Sequence, residues 1–504
     1  MSKKALFSII FAISCLLSLS AVSFAQEVTG SIAGAVRDAN GAAVAGATVT
    51  ITDPSKGNLV VRTLTTNEDG LFSVPNIGIS TYTVTVEAAN FKKSVSTDIK
   101  VDVGQRRTVD VTLTAGNISE TVTVTADPVA VDLTSPTSGT VINGDQVREL
   151  SINNRNFTQL VTLAPGVSND LSDQVYQGTV NPEGQANTVQ ISVNGARSSQ
   201  NTFTVDGADI TDRGSNLTIQ AYPSVDSIGE FRVLRSLYPA ESGRSGGGQV
   251  NVVTRSGTSK FRFSAFEFVR NDKFNANTPL INSQTNPVLG RNADGKAIRP
   301  PFRYNNYGFT IGGPVYFLNF GENDKGWFRK WDKTFFFFSE EQRKDRRSQT
   351  LTSTVPTAQQ RAGFFTVPIC LQATGSTCTV TQAANTTLPN INPVAAQYIQ
   401  YIYNNLPLPN TSVANQLIAV APNVADFRQE VLKIDHSFSD KWSMYYRYQQ
   451  DKIPTIDVNS LFSSGSGLPG VSTTSTNSPA KSATRKSSIY FFINACPIAL
   501  NLTI

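Results

Sequence analysis

Hydrophobic and polar residues alternate with a period of two in several short runs near the start of the chain. The runs S-I-A-G-A-V-R, A-T-V-T-I-T, L-F-S-V and T-Y-T-V-T-V are rich in β-branched residues, which favour strands. Turn-forming sequences separate them, at Asp38–Gly41, Asp53–Gly57 and Asn67–Gly70. Short strands at this spacing predict a small β-sandwich over residues 26–115.

Longer aromatic strands are predicted from residue 258 onward. In N-Y-G-F-T-I-G-G-P-V-Y-F, one face carries Tyr307, Phe309, Ile311, Val315 and Phe317, and the other is largely small or polar. A second apolar face continues through the turn S-D-K and comprises Leu432, Ile434, Phe438, Trp442, Met444, Tyr446 and Tyr448. An apolar outside, a polar inside and bordering aromatic residues are typical of an outer-membrane β-barrel. A soluble, half-buried antiparallel sheet gives the same alternation.

The middle of the chain, residues 131–257, mixes helical and strand patterns. N-R-N-F-T-Q-L-V-T-L places Phe157, Leu160, Val161 and Leu163 at helical spacing, and P-G ends the pattern. V-Q-I-S-V-N-G-A-R and N-T-F-T-V-D-G-A-D are predicted strands, each closed by a tight N-G or D-G turn. These patterns predict an α+β domain inside a mainly β protein.

The N-terminus has the layout of an export signal. Lys3 and Lys4 precede an apolar run, and S-F-A at its end gives the small-x-small pattern of a cleavage site after Ala25. We therefore expect residues 1–25 to be a signal peptide. No later stretch has the roughly twenty apolar residues of a spanning helix. An exported chain of this kind is secreted, periplasmic or a membrane β-barrel.

Three cysteines remain after the predicted signal peptide: Cys370, Cys378 and Cys496. Exported proteins fold in an oxidising compartment, where neighbouring cysteines form disulfides. Cys370 and Cys378 are close enough in sequence to bridge a surface loop, and Cys496 is left over.

Composition argues against an enzyme and against nucleic-acid binding. Charged residues are 16% of the chain and the net charge is +5, whereas a nucleic-acid interface needs a concentrated basic face. The single histidine, His436, cannot supply a zinc hydrolase with its usual ligands, and neither HExxH nor GxSxG is present. We expect no catalytic residue, no metal and no cofactor. On the apolar face near the S-D-K turn, His436 is better explained as a structural residue at a membrane interface.

Three carboxylates, Asp206, Asp209 and Asp212, are spaced three residues apart around Gly207. A calcium loop of the EF-hand type needs carboxylates at alternate positions and a terminal glutamate. Turn chemistry explains the stretch better, with Asp206-Gly207 in a hairpin turn and the other two aspartates capping or solvated. A calcium or ligand contact is the alternative. The glycine-rich S-G-R-S-G-G-G-Q lacks the G-K-[ST] ending of a phosphate loop.

The first module resembles the carboxypeptidase regulatory-like domain, on the phrases G-A-V-R-D-A-N-G-A-A-V-A-G-A-T-V and T-N-E-D-G-L-F-S-V. The resemblance implies a transthyretin-like sandwich without peptidase activity. Residues 131–257 resemble the plug domain of TonB-dependent receptors, on I-N-G-D-Q-V-R-E-L, the N-R-N-F and D-G-A-D-I-T-D segments, and G-R-S-G-G-G-Q-V-N-V-V-T-R-S-G. The combination is closest to the Oar-like receptors of that family.

Between these two domains, in a linker over residues 116–130, lies the heptapeptide E-T-V-T-V-T-A. It resembles the TonB box, which implies that an energy-transducing TonB-like partner docks there. Such docking occurs by strand addition, in which main-chain hydrogen bonds supply the affinity. The residues concerned are Glu120, Thr121, Val122, Thr123, Val124, Thr125 and Ala126. Without the resemblance, the segment reads as one more strand or a linker.

The resemblance implies a fold in three parts: a transthyretin-like β-sandwich, an α+β plug domain and a partial transmembrane antiparallel β-barrel over residues 258–504. It also implies an outer-membrane location, contact with lipid, and an extracellular ligand such as an oligosaccharide or a peptide. The ligand would be taken up with energy from the TonB-like partner. The alternative is a secreted or cell-surface adhesive protein whose sandwich binds carbohydrate or protein.

The length of the chain after Gly257 departs from the family. A plugged barrel of about 22 strands needs well over 400 residues, and only about 245 follow Gly257. The tail, about residues 473–504, also loses the alternation and lacks a closing aromatic strand. We therefore expect the N-terminal portion of a receptor with an aberrant C-terminal tail, that is, a fragment.

Overall fold

The structure is a computed structural model. It describes residues 29–117, 120–125, 137–152, 155–169, 189–211, 216–217, 219, 222–238, 243, 246–277, 279, 282, 290–318, 328–374, 376–411, 413–456 and 481–495. The predicted signal peptide, Ala126, Asp212 and Cys496 lie outside these residues.

The first part of the chain is a two-sheet sandwich. Its strands are β1 (Gly30–Asp38), β2 (Thr48–Asp53), β3 (Leu59–Thr65), β4 (Leu71–Ile77), β5 (Ser80–Glu87), β6 (Lys93–Val101), β7 (Arg106–Thr108), β8 (Val111–Leu113) and β9 (Thr121–Thr125). One sheet has the order β4-β1-β7, with β8 also paired to β1, and the other has the order β3-β2-β5-β6-β9. A short 3-10 helix, Pro54–Lys56, follows β2.

The period-two pattern of the sequence produces the sandwich core. Alternate residues of β2 and β5 are buried, and they pack in one cluster with Ile32 and Phe72 of the opposite sheet. The Asn67–Gly70 turn requires its glycine, because Gly70 has φ 72° and a Cβ there would lie 2.5 Å from the Val36 carbonyl oxygen. The predicted sandwich is confirmed.

The second part is an α+β domain, called the plug below. Its elements are β10 (Ser138–Asn143), α1 (Gly144–Glu149), β11 (Val167–Asn169), β12 (Ile191–Val193), β13 (Thr202–Val205), β14 (Ala208–Asp209), β15 (Ile228–Ser236) and β16 (Gln249–Thr254). The main sheet has the order β10-β15-β16-β13-β14, in which β13 and β16 run parallel. The described residues of this domain also include the 3-10 helices Phe157–Leu163, Ser198–Gln200 and Val225–Ser227.

The segment with helical spacing forms a 3-10 helix. Phe157, Leu160 and Val161 are buried in the plug core, as the spacing predicts. Leu163, also part of the helix, is 53% exposed. It is the last residue of the helix, and the chain turns away at Gly166, where φ is 76°.

The third part is a six-stranded antiparallel sheet. Its strands are β17 (Arg262–Asn271), β18 (Phe302–Leu318), β19 (Phe328–Thr354), β24 (Gln416–Ser437), β25 (Trp442–Ile456) and β26 (Lys481–Ala495). They are hydrogen-bonded in chain order, as in an up-and-down barrel wall. Between β19 and β24 the chain forms α2 (Ala358–Arg361), β20 (Phe364–Phe365), β21 (Ile369–Thr374), β22 (Thr377–Gln382), β23 (Thr386–Thr387), α3 (Pro393–Tyr401) and a 3-10 turn, Tyr403–Asn405.

The predicted hairpin around S-D-K is present, with Ile434 paired to Tyr446 and Leu432 paired to Tyr448. The sheet also continues beyond it. Residues Lys481–Ala495 belong to the tail that was expected to lack a closing aromatic strand, and they pair with β25 along their whole length. Strands were predicted from alternating apolar and polar residues. Strand pairing uses main-chain hydrogen bonds, which form without that alternation. No helix in the described ranges is long and apolar enough to cross a membrane.

Candidate functional site

The outward face of the six-stranded sheet carries the apolar residues predicted from the sequence. An aromatic group lies at the end of the sheet near the β24–β25 turn. There the Phe317 and Trp331 rings are 4.6 Å apart, and His436 lies 4.9 Å from Trp331 and 4.4 Å from Phe438. Trp442, just across the turn, is 49% exposed. Aromatic residues bordering an apolar outer face form the interfacial girdle of membrane barrels.

His436 belongs to this aromatic group. Its Nδ1 is 2.7 Å from the Thr334 hydroxyl on the neighbouring strand. This placement supports the predicted structural role at a membrane interface.

Charged residues mark the other end of the apolar band. Glu340 of β19 and Arg428 of β24 form an ion pair with atoms 3.3 Å apart. Arg428 also pairs with Glu430. β19 and β24 both extend beyond this border, and each is longer than the roughly 9–11 residues with which a tilted strand crosses a bilayer.

The inward face of the same sheet is mixed and is covered in part by the plug. Its buried hydrophobic residues are Tyr304, Phe335, Phe337, Phe427 and Val431, and buried polar side chains lie beside them. The polar side chains at most 5% exposed on this face include Asn306, Thr310, Ser339, Glu341, Arg343, Asp345, Gln429, Lys433, Arg447 and Gln449. Buried polar groups are stable only when they find hydrogen-bond or ionic partners. Two clusters of partners come from the plug.

The first cluster forms around Asp206, in the turn between β13 and β14. Asp206 and Gly207 have φ of 46° and 79°, which confirms the predicted D-G hairpin turn. The Asp206 carboxylate is 3.1 Å from Lys433 Nζ and 3.4 Å from Arg447 Nε, and all three side chains are at most 6% exposed. Thr254 donates its N–H to the same carboxylate at 2.9 Å.

Further contacts fix this cluster. Tyr445 donates its hydroxyl hydrogen to the Asp206 carbonyl at 2.6 Å, and Lys433 donates to the Thr254 carbonyl at 3.1 Å. Burial by itself raises the pKa of Asp206, but Lys433, Arg447 and the Thr254 hydrogen bonds outweigh burial and lower that pKa below its usual value. Asp206 is therefore charged at neutral pH and binds the plug to β24 and β25. We call Asp206, Lys433 and Arg447 the Asp206 cluster.

The second cluster forms around Arg155 of the plug. Its guanidinium pairs with Asp226 within the plug, and its Nε is 3.2 Å from Glu341 Oε1 on β19. Asn306 of β18 donates to Glu341 at 2.8 Å, and Ser224 donates to the other oxygen of that carboxylate. The plug is thus bound to β18 and β19 by a second buried ionic network.

The sandwich contacts the plug through the turn between β6 and β7. Glu230 of β15 accepts the Val103 N–H at 2.6 Å, and Arg232 donates to the carbonyls of Val103 and Gly104. Burial, and secondly the nearby Asp102 carboxylate, raise the pKa of Glu230 to about 8. Glu230 therefore holds a proton at neutral pH. A cleft of about 330 Å³ opens where the sandwich, the plug and the sheet meet.

The segment predicted to bind a partner is strand β9 of the sandwich. Thr121–Thr125 pair in parallel with β6, and all five residues are exposed. Glu120 precedes the strand, and its carboxylate is 2.6 Å from Lys92 Nζ. No contact in the described part of the chain tests whether a partner binds there, so this role stays a prediction.

The remaining predicted site residues lie apart from these clusters. Cys370 and Cys378 are joined by a disulfide across the β21–β22 hairpin, with Cα atoms 5.7 Å apart. Asp209 accepts the Thr211 N–H at 2.9 Å, as a capping residue. No cluster of three or more metal-ligating side chains occurs within the described ranges.

Sequence reasoning missed the function of Asp206 and Arg155 as contacts between domains. Asp206 was placed in its turn, and its ionic partners are more than 220 positions away in sequence. A local motif cannot reveal such a pair. The sequence held one usable signal. Polar side chains on the inward face of the predicted hairpin need hydrogen-bond or ionic partners once that face is buried.

Family comparisons agree with this architecture. Residues 31–114 match the carboxypeptidase regulatory-like domain, and residues 253–489 match the outer membrane beta barrel domain. The chain is 26% identical over 315 residues to the TonB-dependent transporter Oar of Myxococcus xanthus. That match covers 61% of this chain and 26% of the relative, so the chain spans about a quarter of the curated relative.

Solved structures that are similar to this chain include an outer membrane transporter and a ferric enterobactin receptor. The outer membrane transporter YddB from Escherichia coli has 12% sequence identity and a TM-score of 0.43, covering 71% of this chain and 37% of that one. The ferric enterobactin receptor from Pseudomonas aeruginosa has 10% identity and a TM-score of 0.35, covering 72% and 38%.

The outer membrane beta barrel domain and the transporter homologue indicate an outer-membrane location. The relative is a transporter, which agrees with the expectation from the sequence that this chain is not an enzyme. The alternative of a secreted or cell-surface adhesive protein is not favoured. With a regulatory-like sandwich, an α+β domain and a wall of antiparallel strands in this order, the chain is similar, over the part that matches, to the TonB-dependent transporter Oar.

Proposed function

We propose that this protein is an outer-membrane receptor that binds an extracellular ligand for energised uptake. The observation that carries the proposal is the plug domain on the inward face of the antiparallel sheet. The opposite face of the same sheet is apolar and bordered by aromatic residues. This arrangement separates a lipid-facing surface from a water-compatible passage.

The chemistry of the plug contacts suits a gate. The plug meets the sheet through the ionic clusters of Asp206 and Arg155. When such a contact opens, both partners are charged and gain water, so the exposed surfaces remain soluble. Opening an apolar contact of similar size would instead expose hydrophobic surface to water. The ionic part of the contact can therefore open without exposing new apolar surface.

Two further features belong to the proposal. Residues 1–25 would direct export as a signal peptide. Glu120–Ala126, between the sandwich and the plug, would be the docking strand for a TonB-like protein that supplies energy. A force applied there would act on the chain just before the first plug strand.

Membrane fractionation separates this proposal from the adhesive alternative. Cells expressing the full chain should retain it in the outer-membrane fraction after salt and carbonate washes, and detergent should release it. The apolar outward faces of β24 and β25 are the reason for this expectation. Recovery of the full-length protein as a soluble, monodisperse species would contradict the proposal.

The coupling step has its own test. A purified periplasmic domain of TonB should bind the detergent-solubilised protein, and deletion of Glu120–Ala126 should abolish the binding. A glycine–serine segment of seven residues in place of Glu120–Ala126 controls for linker length. Equal binding by the intact and the deleted protein would show that the segment is only a linker.

A further inference from the structure

Strand β9 occupies the end of a five-stranded sheet of the sandwich. Its register with β6 pairs Lys93 with Thr121 and Thr97 with Thr125. The Glu120 carbonyl accepts the Lys93 N–H at 2.9 Å, and the Lys92–Glu120 ion pair supports the start of the strand. The segment is thus already an ordered strand, held along one edge.

The direction of its main-chain groups follows from strand geometry. Successive residues of a strand direct their N–H and C=O groups to opposite edges. Because the Glu120 carbonyl bonds to β6, the main-chain groups of Val122 and Val124 also face β6. Those of Thr121, Thr123 and Thr125 face away from the sandwich. Within the described part of the chain, no strand pairs with that outer edge.

The side chains of β9 leave the outer edge accessible. Val122 is 40% and Val124 is 51% exposed, and the three threonines are exposed as well. Sheet edges in soluble domains are normally protected by proline, inward-pointing charge or a bulge. Residues 121–125 contain none of these. An unprotected edge of this kind is a template for a strand from another chain.

We propose that the TonB-like partner adds a strand to the outer edge of β9 while β9 stays paired with β6. The docking platform is then a six-stranded sheet, five strands from the sandwich and one from the partner. This inference rests on the proposed function, since it presumes that the segment is the coupling strand. The sandwich then has a mechanical role, because it holds the segment in the extended form and less conformational entropy is lost on binding.

Proline at position 123 tests which edge is used. Thr123→Pro removes an N–H that faces away from β6, and edge strands tolerate proline at such positions. Thr123→Ser, which keeps the donor, is the matched control. We expect the full-length Thr123→Pro protein in detergent to bind the purified periplasmic domain of TonB about tenfold more weakly or worse, because a main-chain hydrogen bond is lost at the contact. Thr123→Ser should bind like the unmodified protein. Unchanged binding by Thr123→Pro would overturn the inference.

A disulfide tether tests whether β9 must leave the sandwich. Val95 and Thr123 are register partners on β6 and β9, and adjacent strands place their Cα atoms within disulfide range. The pair Val95→Cys and Thr123→Cys, with Cys496→Ser to prevent mispairing, should bind the TonB domain equally well when oxidised and when reduced. The two single-cysteine proteins control for the substitutions and for reduction of Cys370–Cys378. Loss of binding on oxidation, restored by reduction, would overturn the inference, since it would mean that the partner takes a released segment.

The two proposals fail in different ways. Suppose that binding is lost on deletion of Glu120–Ala126 and is also lost in the oxidised tether. The segment then still binds the TonB-like partner, and only the inference that β9 stays paired with β6 is overturned. No binding by the unmodified protein overturns the coupling role, and the docked strand with it.

Discussion

Replacing Asp206 by asparagine removes one negative charge from the Asp206 cluster and keeps the size of the side chain. Lys433 and Arg447 then lose their shared carboxylate while remaining buried, at 6% and 0% side-chain exposure. Removing one partner of a buried ion pair costs about 3–5 kcal/mol, mainly because the other charge stays desolvated. The asparagine oxygen can still accept one hydrogen bond from Thr254, so the backbone of the turn should keep its conformation.

Hydrogen exchange of plug amides in detergent measures this effect as a local opening free energy. A loss of about 3–5 kcal/mol corresponds to an opening constant larger by roughly 10²- to 10³-fold or more. The largest changes should occur in β13, β14 and β16, which adjoin the turn. Asp209→Asn is the matched control: it lies three residues away in the same hairpin, is only partly buried, and caps Thr211. Asparagine caps equally well, so its effect should stay within about 0.5 kcal/mol.

The pH dependence provides a second check. The pKa of Asp206 is lowered in the folded protein, so its contribution to stability is present above the pKa of the unfolded chain. It is lost as the pH falls through the folded-state pKa. The difference between the unmodified and Asp206→Asn proteins should therefore shrink in strong acid. Equal opening free energies for Asp206→Asn and Asp209→Asn at neutral pH would refute the assignment of this cluster as the contact that holds the plug.

Three further predictions concern other parts of the chain. The pKa of Glu230 is raised to about 8 in the folded protein. Between the ordinary, lower pKa of a glutamate and this value, the folded protein holds a proton that the unfolded chain has released. The sandwich–plug contact should therefore weaken as the pH rises from the ordinary pKa to about 8. Limited proteolysis between the two domains should become faster with pH, and Glu230→Gln should remove most of that dependence; an unchanged profile would contradict it. Cys370→Ser should destabilise only the β21–β22 hairpin, by about 2–3 kcal/mol for so short a loop. Proteolysis at the hairpin should become faster while hydrogen exchange of the plug amides stays unchanged. Loss of the whole fold would show that the disulfide has a wider role. Residues 26–115 should fold alone, with a cooperative thermal transition, β-type circular dichroism and no peptidase activity; zinc-dependent cleavage of a peptide would overturn the non-catalytic interpretation.

The local parts of the fold follow from the sequence. The period-two runs give β2 and β5, and D-G at Asp206 gives the hairpin turn, because these signals depend on residues within a few positions. The inward and outward faces of the β24–β25 hairpin were also predictable, since side-chain direction alternates along a strand.

The contacts between parts were not predictable in the same way. The Asp206–Lys433 pair joins residues 227 positions apart, and many carboxylates and cations could have formed it. Residues 120–126 were predicted to bind a partner, a role that stays a prediction, but the parallel pairing of β9 with β6 leaves no local pattern in the sequence. Likewise, the burial of Glu230 depends on a turn of the sandwich, 127 positions away. Charge, spacing and alternation identify the candidates, and only the packing of the domains selects among them.

The length of β19 sets how far the sheet extends beyond the apolar band. From Glu340, at the charged border of the apolar band, the strand continues to Thr354. At about 3.3 Å per residue this segment is roughly 45 Å long, and at a barrel tilt near 45° it rises about 30 Å. The disulfide-bonded β21–β22 hairpin follows beyond its end. The sheet therefore extends beyond the charged border of the apolar band by a height about equal to the thickness of a bilayer core.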